Sequence, residues 1–93
     1  YEIIILCLAN SRKPPSGRCI AGKVYANGKT TIDWIRPVSS RSSHEVSEEE
    51  GRYQDGMKAQ LLDIISIPLR QPSPFGHQVE NHIFDERYYW GKK

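Results

Sequence analysis

The chain has 93 residues, of which 38% are hydrophobic and 26% charged, with a formal net charge of +2. That length makes a single domain, residues 1–93, with a modest core, and the composition is globular rather than disordered. The longest apolar run, Ile3 to Ala9, is far short of the roughly 20 residues a membrane helix needs, so no membrane role is expected.

Ile3 to Leu8 is a continuous, β-branched run of strand length, expected to be a central strand buried on both faces. With no basic leader before it, it reads as a strand and not as a signal peptide. Asn10 to Gly17 follows as a turn-rich stretch that Pro14 and Pro15 keep extended. Cys19 to Ala26 is the next strand, with Ile20 and Val24 inward and Lys23 and Tyr25 outward. Asn27-Gly28 then signals a two-residue hairpin, because a type I′ turn needs positive φ at both central positions. The return strand, Thr30 to Arg36, places Ile32, Trp34 and Arg36 on one face and Thr31, Asp33 and Ile35 on the other, and Pro37 is expected to end it.

Ser47 and Glu50 form a capping box, which with the acids between them predicts a short helix that Gly51 limits to a turn or two. Leu61 to Leu69 is a further strand, with Pro68 at a sheet margin. Arg70 to Gln78 is a proline-rich connector. From Val79 to Trp90 a short strand and then a helical turn at Asp85–Tyr89 are expected, with Tyr88, Tyr89 and Trp90 as a late anchor for the core. The sum is a mainly β domain with one short helix: a small, partly open β-barrel of the oligonucleotide-binding (OB-like) or SH3-like kind.

Charge is unevenly placed. Residues 1–44 carry seven cations against two acids, a balance of +5, and residues 45–93 carry six against nine, a balance of −3. Within the basic half, Ser11 to Arg18 holds three cations and two hydroxyls in eight residues, the mixture that phosphate recognition uses. Beyond the hairpin, Arg36 and Arg41 flank Ser39 and Ser40. The expected phosphate contacts are therefore Ser11, Arg12, Lys13, Arg18, Lys23, Arg36 and Arg41, with Tyr25 available to stack a base. Trp34 is weighted toward the core.

A second polar group, His77, Glu80, Asn81 and His82, has the composition of a general-base or metal site, but its spacing matches no metal motif and a structural role is favoured. No catalytic residue, metal or cofactor is assigned. Cys7 and Cys19 offer neither a CxxC pair nor a disulfide framework, and they are expected to be reduced thiols in a cytoplasmic protein.

Several of these segments together carry a resemblance: Leu8-Ala9-Asn10-Ser11-Arg12-Lys13, Gly17-Arg18-Cys19-Ile20-Ala21-Gly22-Lys23, Trp34-Ile35-Arg36-Pro37-Val38-Ser39, Glu80-Asn81-His82 and Tyr89-Trp90. They resemble the bacterial dual OB-containing domain family over nearly the whole chain. The resemblance implies a barrel fold and a nucleic-acid-binding or sensing role, with no established catalysis. The positions that match its polar pattern are Asn10, Ser11, Arg12, Lys13, Arg18, Lys23, Arg36, Glu80, Asn81 and His82. Since the chain is long enough for one barrel plus an extension, it reads as the first half of a dual-barrel unit.

The leading expectation is a module that holds single-stranded nucleic acid. The alternative is a regulatory domain that docks a protein partner or a following domain, and a hydrolase using His77, Glu80 and His82 is the third reading.

Overall fold

The computed structural model describes residues 1–13, 17–39, 46–47, 50–74 and 80–93, with the side chains of Arg12 and Lys13 outside that description. Seven strands follow one another: β1 (Glu2–Lys13), β2 (Gly17–Ala26), β3 (Lys29–Val38), β4 (Val46–Ser47), β5 (Ile64–Pro72), β6 (Asn81–Phe84) and β7 (Gly91–Lys92). β1 pairs with β2, β2 with β3, β3 with β6 and β6 with β5, and β5 returns to β1. The five-strand circuit is a closed barrel. All its pairings are antiparallel except β3 with β6, which run parallel.

Local sequence explains most of this. Asn27 and Gly28 hold φ of 55° and 79°, so both central turn positions are left-handed, as the type I′ hairpin requires. Ile5, Cys7, Ile20, Ile35, Ile65, Ile67, Leu69, Phe84 and Trp90 fill the barrel. Gly22 stands opposite Cys7 on one side and Ile35 on the other. A Cβ there would lie 2.2 Å from the Leu6 carbonyl oxygen, so only glycine allows the two strands to approach this closely. Cys7 shares the inward parity of Ile5, and the register of β1 against β2 shifts between Cys7 and Ala9, a bulge that reverses which positions of β1 face outward beyond it. Cys7 and Cys19 are both free thiols, Cys7 buried and Cys19 half-buried.

Four expectations need correction. The short helix expected after the third strand is not seen among the described residues, none of which is helical. The capping box itself forms: the Ser47 N–H donates to Glu50 Oε1 (3.0 Å) and the Glu50 N–H donates to Ser47 Oγ (3.1 Å). It closes a single turn instead, with the Glu50 N–H on the Ser47 carbonyl at 3.2 Å. Gly51 then takes φ of 66°, which ends any right-handed path. A small hairpin bridged at Arg52 and Lys58 fills the gap.

The second correction concerns the prolines. β3 runs through Pro37 to Val38, because Arg36 supplies the main-chain N–H toward β6, 2.9 Å from the Glu80 carbonyl. The missing donor of Pro37 breaks no bond there. Pro68 likewise lies inside β5, paired with Glu2.

Third, Asp85 to Tyr89 is not a helical turn. β6 and β7 both flank β5, and the loop between them is held by Arg87, whose Nε and Nη2 donate to the two Asp85 oxygens at 2.9 and 2.8 Å. Of the expected anchor only Trp90 is buried, edge-on to Phe84 at 5.7 Å. Tyr88 and Tyr89 are exposed.

Fourth, Trp34 lies outside the core, with 44% of its surface exposed. The alternation along β3 is as expected, but the inward place belongs to Ile35, across from Gly22.

Candidate nucleic-acid interface

Strand pairing places the candidate side chains. Residues directly opposite in a ladder share a face, and positions two apart on a strand do as well. Ala9 stands opposite Ala21, Ser11 opposite Cys19 and Lys23 opposite Trp34. Ser11, Lys23, Trp34 and Arg36 therefore present to the same outer face of β1, β2 and β3. Ala9, Ala21, Trp34, Arg36 and Glu80 line a depression of about 440 Å³ on that face. Its floor is small and apolar where it meets Ala9 and Ala21. Its wall is the Trp34 ring, with the Lys23 ammonium 5.5 Å from the ring centroid.

Arg36 and Glu80 close the other side. The Arg36 Nε lies 3.5 Å from Glu80 Oε1, with both side chains partly exposed. This ion pair is loose: Nε is buried and has no hydrogen-bond partner among the described residues.

The remaining cations do not all join this face. Arg18 is opposite Arg12, next to the pair of Asn10 and the buried Ile20. Its side chain lies with theirs in a separate hollow of about 90 Å³ that also holds Glu50 and Lys58, and its Nη1 is 3.4 Å from Asn10 Oδ1. The described cations among the expected phosphate contacts are thus divided between two faces. Arg12 and Lys13 occupy main-chain positions opposite Arg18 and Gly17. Arg41 and His77 lie outside the described residues. Tyr25 is half-buried opposite Thr30.

The second polar group also separates. Glu80 turns to Arg36, and Asn81 is buried where β6 meets β3. His82 meets the Tyr1 hydroxyl through Nδ1, and the two rings lie edge to face at 5.9 Å. Burial pushes His82 below its ordinary value, since desolvation disfavours the imidazolium. Among the described residues no three His, Cys, Asp or Glu gather as a metal site.

A family profile, the dual OB-containing domain, matches residues 3–93. The chain belongs to the dual OB-containing domain family. Its closed five-strand circuit fits the OB barrel of that name. Neither the curated proteins nor the solved structures hold a match to this dual OB-containing chain. No described helix is long and apolar enough to cross a membrane.

What sequence reading missed is the exposure of Trp34 and the pairing of Glu80 with Arg36. The first had a signal, the shared parity of Trp34 with Arg36. The second depends on the parallel β3–β6 register, which no local pattern announces.

Proposed function

We propose that this domain binds single-stranded nucleic acid across the outer face of β2 and β3, as a binding module and not as an enzyme. The observation that carries the reading is Trp34: an exposed indole on a barrel strand, flanked by a lysine ammonium and walling an open depression. Aromatic platforms beside cations hold single strands by stacking bases while the cations follow the backbone. OB barrels use the face of their second and third strands together with the loops after the first and fourth. Ser11, Lys23 and Arg36 supply polar contacts on the same face.

Titration of fluorescent oligothymidylate and oligouridylate at low and moderate salt tests this. Binding that weakens steeply with salt is expected, and binding that is lost on Trp34→Ala places it on this face. Flat titrations at low salt overturn the reading.

A second reading, a protein-docking domain, draws on Tyr88 and Tyr89, exposed beside a hollow of about 270 Å³ with Arg52 and Glu86. Partner capture that survives Trp34→Ala and is lost on Tyr89→Ala would favour it.

A further inference from the structure

We infer that the depression beside Trp34 receives a base rather than a phosphate, and that the base it selects is guanine. The inference rests on the proposed binding of single strands at this face and adds what the site chooses among them.

The chemistry of the lining decides between phosphate and base. Ala9, Ala21 and the Trp34 ring are apolar, and the remaining wall is Arg36 with Glu80. A phosphate seated against Arg36 would sit beside the Glu80 carboxylate, which lies only 3.5 Å from the Arg36 Nε, and like charges so close disfavour it there. Lys23, 5.5 Å from the Trp34 ring centroid and outside the lining of the depression, is the cation placed to take the backbone. The depression is left for an uncharged ring lying against the indole. Its volume of about 440 Å³ falls within the roughly 300–1,000 Å³ of small-ligand sites.

Hydrogen bonding then decides which ring. An ionised carboxylate only accepts, and a guanidinium only donates. The wall therefore offers two acceptor oxygens next to a donor. Guanine presents the complement on its Watson–Crick edge: N1–H and the exocyclic N2–H donate side by side, and O6 accepts next to them. Adenine and cytosine each place a ring-nitrogen acceptor beside their single amino group, which would face the second carboxylate oxygen. Uracil and thymine flank one N–H with two carbonyls. A site that pairs with adjacent donors rejects bases lacking them, because its own polar groups are then left unmatched. The Arg36 Nε is buried and, among the described residues, has no hydrogen-bond partner, only the loose ion pair to Glu80, so a bound base that draws Arg36 and Glu80 into order relieves an existing deficit. The main chain of Glu80 is fixed by the Arg36 N–H at 2.9 Å, so the carboxylate is held at this wall.

The test uses short fluorescent oligothymidylates with one central position varied among guanine, hypoxanthine, adenine, cytosine and thymine, titrated against the wild-type chain and Glu80→Gln. The central guanine is expected to tighten binding by about fivefold or more. Hypoxanthine, which lacks the exocyclic amine, should lose most of that gain. Glu80→Gln should abolish the preference. Equal affinities for all five strands, or a guanine preference that survives Glu80→Gln, overturn the inference but leave single-strand binding in place. No binding to any strand overturns the proposed function, and the guanine site with it. The hypoxanthine comparison uses only the wild-type chain, so it decides the matter even where a variant is poorly folded.

Discussion

Arg36 and Glu80 meet twice, through a main-chain hydrogen bond of 2.9 Å that belongs to the parallel β3–β6 ladder and through a side-chain ion pair of 3.5 Å at the rim of the Trp34 depression. The two contacts serve different ends. The first is structural and indifferent to side-chain identity. The second is loose and partly exposed, so solvent screens it. Glu80→Ala is accordingly expected to change unfolding free energy by no more than about 1 kcal/mol in urea titrations. A loss of several kcal/mol would mean that the pair holds the barrel together and is not available to a ligand.

Trp34 should separate binding from folding. Its indole is 44% exposed and is not among the buried core residues, so Trp34→Ala should leave the thermal midpoint within a few degrees of wild type. Single-strand affinity should fall by about 1–3 kcal/mol, the worth of one stacked base. Anisotropy and thermal melting on the same preparation measure both quantities. A large fall in stability would return Trp34 to a packing role.

The division of cations between two faces predicts unequal effects for Lys23 and Arg18. Lys23→Ala should weaken binding and reduce the log–log salt slope by about 0.7, one phosphate's share for a single strand. Arg18 lies with Asn10 in a separate hollow beside Glu50, so Arg18→Ala should leave affinity and slope unchanged. Equal slopes lost from both variants would require a strand that wraps the barrel to reach the second face.

Which of these features the sequence could disclose depended on whether neighbours or distant strands decided them. The Asn27-Gly28 hairpin is decided by two adjacent residues that tolerate positive φ, and it was legible. So was the capping box of Ser47 and Glu50, whose reciprocal bonds form; its outcome was not, because Gly51 turns left-handed directly afterwards. Alternation showed that Trp34 and Ile35 face opposite ways. Which of them is inside was settled by barrel closure, where Gly22 makes room beside Ile35. The approach of Glu80 to Arg36 comes from a parallel pairing between distant segments and leaves no trace in either one. Arg18 shares the parity of the buried Ile20 and Lys23 has the opposite parity, so alternation along β2 alone separates them, and this was legible in the strand although the charge count did not show it.

Gly22 is the position least tolerant of change. A methyl group there would meet the Leu6 carbonyl oxygen at 2.2 Å and Ile5 Cδ1 at 2.9 Å, and the first obstacle is backbone in a paired strand that cannot rotate away. Gly22→Ala should cost about 3 kcal/mol or more, at or beyond the upper end of overpacking effects, and should prise β1 from β2. Urea denaturation, with circular dichroism as the check on residual sheet, would measure this. A variant as stable as wild type would mean that the two strands sit further apart than described.

Acid sensitivity should trace in part to the loop between β6 and β7. Arg87 grips both Asp85 oxygens and holds that carboxyl at about 2, below the 3.9 or so of an unfolded aspartate. The folded chain therefore releases this proton more readily than the unfolded chain. The stabilisation is complete above about pH 4 and is lost as pH falls toward 2. Asp63, lowered chiefly by the Tyr53 hydroxyl that donates to it at 2.7 Å, acts in the same direction. Asp85→Asn should thus flatten, without abolishing, the fall in stability between about pH 4 and pH 2, while Asp63 maintains a residual slope. Arg87 is largely exposed, so added salt should shrink the difference between wild type and variant. Denaturant midpoints for both proteins at several pH values across this window, at low and moderate salt, test the assignment, and parallel curves would place the acid-sensitive group elsewhere.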